Sequence, residues 1–392
     1  MPATSKTSHT TSLPSISWDQ VASWRMSRHI LAERASPEDL LDVTSRICGL
    51  HAQVASAAEL SAWVRMQPGE PGAVSAALWQ DRTLVKTWAM RGTLHHIVAD
   101  ELPLYMAARR TINRHLTPGY LKYFDMTRAQ MEGLIESIGI ALDGRCLTRD
   151  ELALEVGRIT GEARLGDLLR SGWGSFLKPA AAQGYLCFGP SQGRNVTFVR
   201  PDQWLGTWPE IEPDRAMSDV LRRYLSTYGP TTRDEFAQWF GAALSTTRRA
   251  FERLADELTE VEFDGSRAYV LSSTLDDMLA PPAGLSVRLL PNFDPYMIGL
   301  SPQVKRHIPP GQLPRVFRTA GWISPVVLVN GNIMGVWGYE RGTNGLKVTV
   351  DLFEQTLASP EAIAGIEAEA EYLTGLLGGP LGLRFDTITF GG

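Results

Sequence analysis

Two polar side chains separated by one alanine, His51 and Gln53, stand where a helical pattern gives way to a short connection, Ile47-Cys48-Gly49-Leu50-His51-Ala52-Gln53. If that connection is extended, residues i and i+2 point the same way and can grip one small object, such as a water molecule. A glutamine amide oxygen orients a water, and a neutral imidazole also accepts a proton from it. The competing reading is structural: both side chains satisfy the open backbone groups of a helix end. A second polar cluster follows in Thr87 to Val98. On one continuous strand Arg91, Thr93 and His95 share a face, and Leu94, His96 and Val98 share the other, so His95 and His96 do not converge on one metal. No further Cys, His or carboxylate stands at ligand spacing, and no metal site is expected. Arg91 suits a phosphate or a carboxylate of its own domain equally.

The elements that must position these residues are legible in outline. Ser17 and Gln20 have capping-box spacing and start an amphipathic helix. Ser36-Pro37 starts a second, lined by Leu40, Leu41, Val43 and Ile47, which delivers the chain to Gly49. Glycine there takes a left-handed conformation at no steric cost, as a helix terminus requires. After a third helix carrying Leu60 and Trp63 inward, strand-like alternation runs from Val85 to Val98. An internal repeat then appears: Thr148-Arg149-Asp150-Glu151 returns as Thr232-Arg233-Asp234-Glu235, each at a helix start. Each copy continues into a second helix and a hairpin, one around Gly189-Pro190 and one around Asp264-Gly265. Helix, helix and hairpin is the winged helix-turn-helix order, a module that lays helices against duplex DNA. The first 120 or so residues fit a third, degenerate copy. From Pro281 the texture changes to short strands with one helix from Pro360, which predicts a small barrel or curved sheet.

The fold class expected is therefore α+β, with a loose tail at 1–16, winged-helix modules at 17–125, 126–212 and 213–280, and a C-terminal β-barrel at 281–392. The chain of 392 residues, 44% hydrophobic and 21% charged, is ordinary globular material. It lacks the run of ~20 apolar residues that a membrane span needs, and its first residues lack the apolar core of a secretion signal. A cytoplasmic, nucleoid-associated location is expected. Cys48, Cys146 and Cys187 are far apart in apolar surroundings and read as reduced, buried thiols. The net charge of -5 argues against nonspecific coating of nucleic acid, yet basic clusters such as Arg109-Arg110, Arg248-Arg249 and Lys305-Arg306 are compatible with a segregated field. Gly331, Gly335 and Gly338 lack the spacing of a dinucleotide fingerprint, and Gly172 to Phe176 lacks the frame of a nucleophile elbow. No cofactor is expected.

Four segments together resemble one family: Gly-Leu-His-Ala-Gln at 49–53, Met-Arg-Gly-Thr-Leu-His at 90–95, Leu-Pro-Asn-Phe-Asp-Pro-Tyr-Met-Ile-Gly at 290–299, and Gly-Trp-Ile-Ser-Pro-Val-Val-Leu-Val-Asn-Gly at 321–331. They are similar, in order, to motifs of the AlkZ-like family of bacterial winged-helix DNA glycosylases, typified by an azinomycin-resistance enzyme that unhooks interstrand crosslinks. The resemblance implies three tandem winged helices and a C-terminal barrel around a concave channel for duplex DNA. It implies catalysis by a Gln, apolar, Gln motif, in which this chain keeps Gln53 and has His51 at the first position. Asp294, Tyr296 and Trp322 fall in the supporting motifs. Arg91, Thr93, His95, Arg248, Arg249, Lys305 and Arg306 are the DNA-binding candidates.

The activity this implies is hydrolysis of the N-glycosidic bond of N7-alkylguanine-type lesions by a monofunctional glycosylase. The partner is double-stranded DNA containing alkylated purines, bound by a monomer. A rival reading, a non-catalytic DNA-binding regulator or lesion sensor, accounts for the repeats equally well. If neutral His51 is the base, activity should fall below an apparent pKa of ~6.5, and a flat profile from about pH 5 to 8 excludes that role.

Overall fold

The computed structural model describes residues 13–170, 174–342, 345–353 and 359–388. Among these residues it is a mixed α+β chain of four sheets with helices between them. The chain enters through a two-residue strand, β1 (Ser15–Ile16), and the helix Trp18–Arg28, whose capping box is closed by Ser17 and Gln20. The helix Leu40–Arg46 ends in two residues of positive φ, Cys48 at 60° and Gly49 at 101°. A side chain at Gly49 would place its Cβ 2.5 Å from Ile97 Cδ1 and 3.0 Å from the His96 carbonyl. Glycine therefore lets β2 (Leu50–His51) lie directly against a neighbouring strand.

That neighbour corrects the expected single strand over Val85 to Val98. The segment is a hairpin of β3 (Leu84–Trp88) and β4 (Leu94–Val98). Arg91 and Gly92 at its tip both have positive φ, 55° and 66°, and Thr93 N–H donates to the Met90 carbonyl. This is the mirror-image turn whose twist suits a hairpin, and Arg91-Gly92 is its signal. Arg91 is thereby lifted off the strand face that it was expected to share with His95. The sheet order is β2-β4-β3, with His51 opposite His95 and Leu50 opposite His96.

Two further helix-and-hairpin units follow. In the first, Thr148 and Glu151 cap Arg149–Thr160, and β5 (Leu147–Thr148), β6 (Cys187–Gln192) and β7 (Asn195–Val199) form a sheet of order β5-β7-β6. The turn is at Gly193, not at Gly189-Pro190; those two lie inside β6, where the register slips because proline offers no N–H to the ladder. Gly172 and Trp173 lie outside the described residues. In the second unit, Thr232 and Glu235 cap Arg233–Phe240, Leu244–Arg253 follows, and β8 (Leu258–Phe263) turns at Asp264-Gly265 into β9 (Ser266–Leu271). Here β1 adds in parallel beside β8, so the end of the expected loose tail is ordered: Ile16 is buried among Val21, Trp24 and Val261.

The C-terminal strands β10 (Val287–Leu290), β11 (Val326–Val329), β12 (Asn332–Gly342), β13 (Gly345–Leu352) and β14 (Leu381–Phe385) make one five-stranded sheet in that order. Among the described residues β10 and β14 are its two edges and do not pair, so the expected barrel is not closed there. The helix Pro360–Leu377 packs on both edge strands and covers the sheet instead. The end of the expected strand Phe385 to Phe390 falls outside the described residues.

One apolar core runs from Met26 and Trp63 through Tyr224, Tyr228 and Phe236 into Leu289, Val326 and Ile366. Buried arginines tie its parts together. Arg65 makes a two-pronged ion pair with Asp294 at 2.7 and 2.8 Å, with both side chains fully buried. Arg25 donates to the carbonyls of Tyr228, Gly229 and Pro230. Cys146, expected to be buried, is exposed, while Cys48 and Cys187 are buried.

Candidate active site

The short β2 strand places His51 inside the molecule at 5% exposure. Its ring meets the His95 ring edge-on at 5.3 Å between centroids and stacks on Phe293 at 5.3 Å with 30° between planes. Ala52 N–H donates to the Leu94 carbonyl, extending the ladder by one residue. The chain then bends, and Gln53 is exposed just before the helix Ala55–Trp63. His51 and Gln53 therefore differ in depth: the imidazole is inside and the amide is at the surface.

His51, His95, Arg91, Tyr228 and Trp239 line a cavity of about 10 Å³, room for one water molecule. His51 Nδ1 is buried and has no hydrogen-bond partner among the described residues. Burial first, and the Arg91 guanidinium second, push the His51 imidazole down to about 3. It is neutral throughout the physiological range and weakly basic. His95 Nδ1 lies 3.0 Å from the Thr93 carbonyl, which only accepts, so Nδ1 carries the proton and Nε2 holds the free lone pair. Burial, with His51 and Arg91 adding to it, holds His95 well below the usual histidine range. His96 lies on the other face, where burial and Lys86 push it down to about 3.

The remaining candidates divide clearly. Among the described residues Arg91 pairs with no carboxylate: it donates to the Trp239 carbonyl at 2.8 Å, and burial pushes it down to about 10. Thr93 turns inward, its hydroxyl donating to the Met90 carbonyl and closing the hairpin. Arg248 and Arg249 are exposed on Leu244–Arg253, and Arg249 already grips both oxygens of Asp214. Lys305 lies over the Phe317 ring, and Arg306 pairs with Asp264 at 2.8 Å. These four are not gathered at His51. Asp294 and Tyr296 are anchors: Asp294 caps Pro295–Gly299 while holding Arg65, and the Tyr296 hydroxyl donates to the Gly331 carbonyl.

Trp322 is 40% exposed and meets Phe293 edge-on at 4.8 Å. Phe293 is the residue that sequence reasoning left without a role. It lies inside the quoted motif at 290–299, and its positive φ of 58°, unfavourable for an aromatic residue, is the structural sign that its ring is held in place for a reason. Trp239, from the unit at 213–280, was missed because nothing local marks a contact made across the fold.

The chain is a helix-and-hairpin fold in which a buried, neutral imidazole borders a small cavity among aromatic rings and the half-buried Arg91, an arrangement suited to holding a water. Residues 44–376 match the family described as DNA glycosylase AlkZ-like, and the chain belongs to that family. It is thus a DNA glycosylase. It is 39% identical over 331 residues to the interstrand DNA cross-link repair glycosylase of Streptomyces sahachiroi, covering 82% of this chain and 87% of that one. The solved structure of the Streptomyces sahachiroi DNA glycosylase AlkZ superposes with a TM-score of 0.85 at 36% identity, over 95% of this chain and all of that one. Among the described residues no helix is long and apolar enough to cross a membrane.

Proposed function

We propose that this glycosylase hydrolyses the N-glycosidic bond of cationic N7-alkylguanine-type lesions in duplex DNA, its substrates being bulky adducts or crosslinks of a genotoxic natural product. The Streptomyces sahachiroi relative, an interstrand DNA cross-link repair glycosylase, supports the substrate class. On this reading the three three-stranded sheets with their helices are winged-helix modules, and the C-terminal sheet forms a further wall of the DNA channel. The protein acts as a monomer and needs no cofactor.

The observation that supports the mechanism is that His51 lines a one-water cavity inside the molecule, while Gln53, two residues on and outside that lining, is exposed at the surface. N7 alkylation gives the base a positive charge. When the bond from the sugar carbon to the base breaks, its electron pair neutralises that charge, so no strong acid is required. A water oxygen then bonds to the cationic sugar carbon, and the extra proton it carries passes to bulk water. Gln53 orients the water through its amide oxygen. His51 accepts a hydrogen bond deeper in the site; with its basicity lowered by burial, it contributes position more than proton abstraction. A histidine that does not titrate near neutrality thus serves at the position where the family resemblance implies glutamine.

The regulator reading loses its ground with membership in a glycosylase family. The test is base release from a duplex carrying one N7-methylguanine, scored as abasic-site cleavage. Wild type should give product, and both Gln53→Ala and His51→Ala should reduce it. Undiminished product from both variants would sink the assignment.

A further inference from the structure

Arg91 lines a second, larger cavity of about 340 Å³ that the catalytic reading does not use. Its wall comes from four parts of the chain: the β3–β4 turn, the end of the Leu102–Arg109 helix with the stretch after it, the region Ser175 to Gln183, and Gly241. Arg91, Arg109, Arg110, Arg114 and Lys178 all line it, and among the described residues no Asp or Glu does. Of the neighbouring carboxylates, Glu210 meets Arg110 at 3.4 Å, and Glu132 acts on His115.

Arg109 and Lys178 form the core of this cavity. Arg109 Nε is shielded from solvent and has no hydrogen-bond partner among the described residues. A Cβ built on Gly92 would lie 3.6 Å from Arg109 Nη2 and 3.4 Å from Lys178 Cδ, so both side chains converge on the bare Cα of Gly92. Burial pushes Arg109 down to about 10; burial and the neighbouring Arg109 both lower Lys178. Two cations drawn together and partly dehydrated with no carboxylate between them are unfavourable unless an anion joins them. A planar fork beside a point charge is the donor set for a phosphate oxygen pair.

We propose that this cavity seats one backbone phosphate of the bound DNA strand, with Arg109 and Lys178 as its principal donors. Resting on the glycosylase assignment, it deepens it: phosphate contacts fix register without reading sequence. Because Arg91 borders both cavities, a phosphate held here sets the distance between the damaged nucleotide and His51.

The test is equilibrium binding, read independently of base release. Lys178→Gln and Arg109→Gln should each weaken binding to lesion-bearing and undamaged duplexes alike, by roughly tenfold or more, and should lower the slope of log affinity against log salt by about one. Arg158→Gln, a charge change on an exposed helix, should leave that slope as in wild type. A duplex with one methylphosphonate linkage, moved stepwise past an N7-methylguanine, should lose affinity for wild type at one position, and Lys178→Gln should be blind to that position. If Arg109→Gln does not fold, Lys178→Gln carries the test alone. Unchanged salt slope in a folded Lys178→Gln, or a methylphosphonate penalty that simply adds to the variant's loss, overturns the proposal. So does a free-anion site: inorganic phosphate at constant ionic strength raising the melting temperature of wild type but not of Lys178→Gln, while both bind DNA equally. A wild type that binds normally yet releases no base would count against the catalytic reading and leave this one standing.

Discussion

Phe293 stacks on the imidazole of His51 with ring centroids 5.3 Å apart, while holding a backbone φ of 58°. A non-glycine residue in that region is strained, and the surrounding structure must maintain it. Here the neighbours are Asp294, locked to Arg65, and Trp322 at the ring edge. The strained residue is also the one whose ring lies against the imidazole of His51. Phe293→Ala should therefore lower single-turnover base release by roughly tenfold to a hundredfold, the scale of a small misplacement of a catalytic group. DNA binding should change far less. Equal losses in binding and turnover would assign Phe293 to the DNA surface instead.

The acid sensitivity of the fold follows from the same burial. His51 and His96 are pushed down to about 3, and His29 and His95 lie well below the usual value. Each binds a proton more readily unfolded than folded, so stability is complete above the unfolded value of ~6.5 and is lost as pH falls toward the folded values. Melting temperature should be level from about pH 7 to 8 and drop by several degrees or more between about pH 6 and 4. Base release by folded enzyme, in contrast, should show no inflection attributable to His51 between about pH 5 and 8. This revises the expectation drawn from an unperturbed histidine. A sigmoid near ~6.5 that disappears in His51→Gln would contradict the buried, neutral placement.

Local pattern made much of this fold readable. Capping boxes at Ser17, Thr148 and Thr232 and the Asp264-Gly265 turn act over a few residues, and the structure has each of them. What the pattern missed was set across long spans. Ile16 is drawn into strand pairing by β8, nearly 250 residues away, and no feature near Ile16 announces it. Arg91 was assigned to a strand because alternation continues through it, although Gly92 was the available sign of a turn. At the site, the residue types of His51 and Gln53 suggested water chemistry. Their different depths depend on where β2 ends, and the lowered basicity of His51 depends first on its burial and second on Arg91.

The Arg65–Asp294 pair joins the helix preceding Arg65 to the segment carrying Phe293, with both side chains sealed from solvent. Asp294→Asn leaves a buried guanidinium without its counter-charge and should destabilise the protein by about 3–5 kcal/mol. Replacing both residues with apolar ones of similar size, as in Arg65→Met with Asp294→Leu, should cost less than the single change, because no orphan charge remains. Urea unfolding of the three proteins measures this. A double variant that is less stable than Asp294→Asn would show that the hydrogen bonds of Arg65 to the His29 and Ser61 carbonyls matter more than the charge pair.

Gly49→Ala tests whether the position of β2 controls catalysis. The added methyl would stand 2.5 Å from Ile97 Cδ1 and 3.0 Å from the His96 carbonyl, on a backbone with φ of 101°. Ile97 can shift its terminal carbon; the carbonyl belongs to β4 and cannot move without disturbing the ladder that carries His95. Overpacking and strain of this kind cost on the order of 1–3 kcal/mol. The variant should fold with a lowered melting temperature, bind duplex DNA, and lose most base release. Full activity at Gly49→Ala would mean that His51 tolerates displacement.

His51→Gln separates the two roles that an imidazole can have here. If His51 works as a neutral hydrogen-bond acceptor, an amide of similar reach supplies the same lone pair, and base release should stay within about tenfold of wild type. His51→Ala removes the acceptor and opens space beside Phe293 and His95; its loss should be at least about a hundredfold. The ratio between the two variants is the informative quantity, since both lack any group that could take up a proton from water at the pH of the assay. A His51→Gln enzyme as inactive as His51→Ala would require the imidazole itself as base. In that case the pH profile must show its titration, and the burial that pushes His51 down to about 3 must be relieved when DNA is bound.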